Sequence, residues 1–142
     1  MGAFGCGGGD ESGEEALGAD EWRTRANSFC ADGVERATAL PLPASRSAVA
    51  ADAAKRAAIV TKVRDGLMTL GQAEGIDDHE VESYLARLGG DAELLQQISR
   101  VARAGGDFQR LNGRLDESAG EVANALELDD CAAFANAIAR TP

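Results

Sequence analysis

Residues 45–70 read SRSAVAADAAKRAAIVTKVRDGLMTL. Val49, Ala53, Arg56 or Ala57, Val60, Val63, Leu67 and Leu70 recur three or four positions apart, the period that gathers side chains on one face of an α-helix. Ser45 or Ser47 offers a hydroxyl for the N-cap, and Gly71 or Gly75 ends the element. Asp52 and Arg56 stand four apart and are read as a surface pair across one turn, adding only tenths of a kcal/mol. One amphipathic helix of this length must bury its stripe against others, so the flanking sequence decides the fold.

Upstream, Trp22, Ala26, Phe29, Gly33, Ala37 and Leu40 carry the same period from Asp20 onward. Pro41 and Pro43 stop that first helix, because each removes a backbone donor and turns the preceding residue away from helix. The short connection predicts an antiparallel neighbour. Downstream, Asp77 or Asp78 caps a third helix with Glu80 and Glu82 near its positive pole. Its buried face is Val81, Tyr84 or Leu85, Leu88, Leu95, Ile98 and Ala102, with a bend expected at Gly89-Gly90. Asp107 then caps a fourth helix with the stripe Phe108, Leu111, Leu115, Ala119, Val122 and Leu126, and Cys131, Phe134 and Ile138 form a short terminal helix. Sustained strand alternation is missing. The expected fold is all-α: an antiparallel up-down-up-down four-helix bundle over residues 19–142, preceded by a flexible glycine-rich and acidic tether over residues 1–18.

The chain has 142 residues, enough for one core and too few for two. Aromatic residues make up only 4%, so Ala, Leu, Val and Ile must build closely packed helices. A formal net charge of −10 repels nucleic-acid backbones and anionic lipid surfaces alike. Asp10, Glu11, Glu14, Glu15, Asp20 and Glu21 crowd the start as a solvated charged run. No stretch reaches the ~18 consecutive apolar residues of a membrane span, so membrane attachment requires an anchor.

Three cysteines, Cys6, Cys30 and Cys131, bear on compartment. Up-down-up-down order brings Cys30 of the first helix to Cys131 beyond the fourth, so the two are expected to form a disulfide closing the bundle. Closing so long a loop is worth about 4–5 kcal/mol in the chain-entropy account, before native strain. The alternative is a pair of buried free thiols in a reducing cytoplasm. Disulfide chemistry implies export, and leaves Cys6 to be explained.

Ala3-Phe4-Gly5-Cys6, followed by small and acidic residues, resembles the cleavage region of bacterial lipoproteins, in which a small residue precedes the cysteine that takes the lipid. Asn27-Ser28-Phe29-Cys30, Leu40-Pro41-Leu42-Pro43 and Leu126-Glu127-Leu128-Asp129-Asp130-Cys131 extend this to a resemblance to small, uncharacterised helical-bundle lipoproteins of high-GC Gram-positive bacteria. The resemblance implies lipid on Cys6 and a location on the outer face of the cytoplasmic membrane. It implies no activity.

No catalytic constellation can be assembled. His79 is the single histidine, so neither a di-iron carboxylate bundle nor an arranged hydrolase triad is available, and the glycines near the start lack the Gly-Lys-Ser/Thr of a phosphate loop. Met68 and His79, near one turn, are the residues for a haem-like axial pair. The expected function is a protein-interaction module at the cell envelope, with an envelope protein as partner, no cofactor, no metal and no enzymatic role. Two alternatives stand beside it: a small-ligand or haem-like carrier using the bundle interior, and a cytoplasmic helical adaptor with a disordered leader.

Overall fold

The computed structural model describes residues 17–115 and 118–139. Most of the expected tether, including Cys6, lies outside the described residues. The chain is mostly helical and, among the described residues, forms no strand beyond one isolated bridge between Leu17 and Ala73. That bridge starts the fold: the Leu17 carbonyl accepts from the Glu74 N–H at 3.0 Å.

Helix α1 spans Ala19–Thr38 and buries Trp22, Ala26, Cys30, Gly33 and Ala37. Asp20 and Glu21 sit in its first turn, where carboxylates complement the helix dipole. Phe29, expected on the buried stripe, is only half-buried, and Cys30 takes the inward position instead. Helix α2 spans Arg46–Met68. Ser45 is its N-cap, accepting from the Ala48 N–H at 3.2 Å. Its buried surface is broader than one stripe, because α1 and α3 flank it on different sides.

Helix α3, Asp78–Arg103, is capped by Asp77, whose carboxylate accepts from the N–H groups of His79 and Glu80. It runs through Gly89-Gly90 unbroken. The two glycines cost about 1 kcal/mol each in helix propensity, which the long seam with α2 offsets. Along this seam the Arg64 Nε donates to the Leu85 carbonyl and the Ser99 hydroxyl donates to the Ala50 carbonyl at 2.8 Å. Partners that descend along α2 as they ascend along α3 make the pair antiparallel.

The uninterrupted fourth helix expected from Phe108 to Leu126 does not form. Its sequence is divided into α4, Gln109–Asn112, and α5, Ser118–Ala125. Asn112-Gly113 are poor helix formers, and Leu115 drops into the core between the two segments. A tight turn follows, with Glu127 at φ 62° and the Leu128 N–H returning to the Ala123 carbonyl at 2.9 Å. This is the left-handed helix ending usually given to glycine, locked here by the fully buried Leu128.

Helix α6, Asp129–Ile138, buries Cys131, Phe134, Ala135 and Ile138. The Asn27 Oδ1 accepts from the Asp130 N–H, Cys30 meets Cys131, and Gly33 lies against Phe134. Because both partners advance together, α6 runs parallel to α1. The absence of a side chain on Gly33 is required: a Cβ there would come within 2.7 Å of both Phe134 and Val63.

Candidate functional site

Three elements converge on the cysteine pair. The sulfurs of Cys30 in α1 and Cys131 in the first turn of α6 lie 2.03 Å apart, at disulfide distance, with their Cα atoms 4.9 Å apart. Both residues are fully buried. Tyr84 reaches in from α3 and sets its hydroxyl 3.8 Å from the Cys30 sulfur. Burial pushes the Tyr84 phenol well above its usual range, and the negative charge of Asp91 acts in the same direction. Thiol–disulfide exchange needs an attacking thiolate to reach a sulfur, and this enclosure denies it access. The pair thus joins α1 to α6, with Tyr84 of α3 packed against it.

A second buried polar centre pins the far end of α6. Asp52 and Arg56, expected on the surface, are buried, with Arg56 fully enclosed. The Arg56 Nε donates to the Asp52 carboxylate at 2.8 Å, and its Nη1 donates to the carbonyl of Ile138, the last residue of α6. The surface reading failed because the C-terminal end of α6 meets α2 at Arg56. A guanidinium at the negative pole of a helix, neutralised by a neighbouring carboxylate, is a favourable way to enclose a charge. Position 56 was already flagged in the sequence by sharing the buried stripe with Ala57.

The remaining sequence candidates do not assemble. Met68 is 52% exposed at the end of α2, and His79 is exposed in the first turn of α3. Neither side chain enters the helical core, so the two do not form the haem-like pair considered as an alternative. Leu67, one position earlier, takes the inward place instead. Among the described residues, no group of three or more His, Cys, Asp and Glu side chains could hold a metal ion. No described helix is long and apolar enough to cross a membrane. Trp22 and Tyr84 are core anchors as expected; the Trp22 indole N–H donates to the Gly71 carbonyl at 3.2 Å, tying α1 to the α2–α3 turn.

An apolar groove of about 310 Å³ runs between α1 and α2. Phe29, Ile59 and Val63 line it, with the Phe29 ring packed on Gly66 and Val63 packed on Gly33. Its rim is charged by Asp32, Arg36, Lys62 and Asp65. Periodicity missed this surface, because it lies between two helices and belongs to neither helix face alone. No protein-family model, curated protein sequence or solved structure matches the chain.

Proposed function

We propose that the chain is an exported helical domain, carried by lipid on Cys6 at the outer face of the cytoplasmic membrane, where it serves as a protein-interaction module with no enzymatic role. The single observation behind this reading is the buried pairing of Cys30 with Cys131, since such bonds persist in oxidising compartments and are rare in the cytoplasm. With that pair oxidised, Cys6 is the odd cysteine, and lipid attachment accounts for it. In the same reading the fold is a four-membered bundle: α1, α2 and α3 alternate in direction, the broken segment α4–α5 stands in for a single fourth helix, and α6 folds back beside α1. The α1–α2 groove, apolar within and charged at its rim, has the composition of a recognition surface.

Fractionation of cells producing the chain from its native gene tests this. The intact protein is expected in the membrane fraction, and Cys6→Ser is expected to release it without changing its helical content. An equal distribution of the two proteins would overturn the anchor. Photocrosslinkers at Ile59 in the groove and at Glu93 on the opposite side of α2–α3 test the interaction role. A discrete adduct from Ile59 alone supports it, and identical patterns from both positions contradict it.

A further inference from the structure

From the surroundings of Arg46 we infer a binding site for a small organic carboxylate carrying a hydrogen-bond donor, seated where the start of α2 meets α4. A groove of about 490 Å³ opens there, within the size range of small-molecule sites. Pro43, Val49 and Phe108 supply apolar wall, and Ser45, Arg46 and Asn112 supply polar groups.

Two observations give the ligand its chemistry. The first is charge. Arg46 is the first residue of α2, at the positive pole of its dipole, a place that disfavours a cation. The first turn of α2 contains no acidic residue, whereas α1, α3 and α6 each carry two there. No carboxylate pairs with Arg46 among the described residues; its guanidinium is held by the Gly106 carbonyl and lies 5.7 Å from the centre of the Phe108 ring. Asp107, the neighbouring acid, is occupied in accepting from the Gln109 N–H. In a chain of net charge −10, this is a positive charge concentrated by a helix end and steadied beside an aromatic face.

The second observation is independent of charge. Asn112 stands in the wall of the same groove, is only 8% exposed, and its Oδ1 has no hydrogen-bond partner. An enclosed amide oxygen without a donor costs free energy, and such an atom beside a groove points to a donor brought by a ligand. A carboxylate for Arg46, a flat apolar body for Phe108 and Pro43, and an O–H or N–H for Asn112 together describe a hydroxylated aromatic acid or an acylated amino acid. The site lies apart from the α1–α2 groove and does not depend on export or on lipid.

Titration of the full chain with 4-hydroxybenzoate, followed by amide chemical shifts, tests the assignment. Saturable shifts are expected at residues 43–49 and 106–113. Arg46→Gln, an exposed position whose change leaves the core intact, is expected to weaken binding about tenfold or more. Benzoate, which lacks the second donor, is expected to bind several-fold less tightly, and inorganic phosphate, which lacks the apolar body, more weakly than either. Absence of saturable shifts with 4-hydroxybenzoate would overturn the proposal. So would an affinity unchanged in Arg46→Gln, or equal affinity for 4-hydroxybenzoate and benzoate.

Discussion

Asn27 sits in the middle of α1, where asparagine contributes little to the helix. Its value lies across the interface. Leu128, the N-cap of α6, makes no side-chain cap hydrogen bond, and Asn27 supplies the acceptor from a different helix, 3.0 Å from the Asp130 N–H. Asn27→Ala is therefore expected to destabilise the fold by about 1 kcal/mol, the usual worth of an N-cap, as read from a chemical denaturation midpoint. Asp52 is a stronger case. Removing it takes away the carboxylate 2.8 Å from the Nε of the fully buried Arg56, so Asp52→Ala is expected to cost roughly 1.5–3 kcal/mol in the same measurement. Tyr84 couples stability to alkaline pH. Burial raises its folded pKa above the unfolded value, so unfolding releases its proton at high pH. Its contribution is full below the usual tyrosine pKa of 10.0 and is lost as pH climbs beyond it. Because the chain holds a single tyrosine, phenolate absorbance reports this group alone. It should appear together with the loss of helical circular dichroism, and an appearance in the folded protein would refute the enclosure.

At the scale of elements, small residues set how closely the helices approach. Gly33 lies where α1 meets both Val63 of α2 and Phe134 of α6, with no room for a methyl group. Gly33→Ala gains helix propensity of about 1 kcal/mol but must displace two core side chains, an overpacking cost of roughly 1–3 kcal/mol. The expected net effect is a lower melting temperature, and an increase would show that the seam can relax. The same elements show what the sequence could and could not disclose. Helices α1, α2 and α3 were legible because their apolar residues keep a strict period between clear stops, Pro41 and Pro43 after α1 and Gly71 to Gly75 after α2. The fourth helix was misread because the stripe from Phe108 to Leu126 keeps that period across Asn112-Gly113, where the backbone departs from helix. Periodicity records which residues face the core, and both a straight helix and two short ones can satisfy it. The burial of Asp52 and Arg56 was hidden for a related reason: the carbonyl that Arg56 reaches, on Ile138 at the end of α6, is 82 residues away in sequence. The groove at Arg46 was equally out of reach, since it joins a helix start to a segment 60 residues later.

Over the whole molecule, the ends of the described chain are gathered onto a central α2–α3 hairpin. Leu17 and Trp22 are fastened to the α2–α3 turn, Arg56 holds the last residue of α6, and the cysteine pair joins α1 to α6. These fastenings act at different points along α1 and α6, so the two chain-terminal helices are fixed in one register. The cysteine pair spans 101 residues, and a link over such a loop removes about 4–5 kcal/mol of unfolded-state entropy in the chain-entropy account. That is a large share of the net stability of a domain this size. It also bears on compartment, which joins the architecture to the proposed site of action. The most direct test is a peptide map of the protein taken from its native cells, with free thiols alkylated at lysis and no reductant added. The account predicts a single cross-linked species joining the Cys30 and Cys131 peptides, with neither cysteine alkylated. Recovery of both cysteines in alkylated form would contradict it.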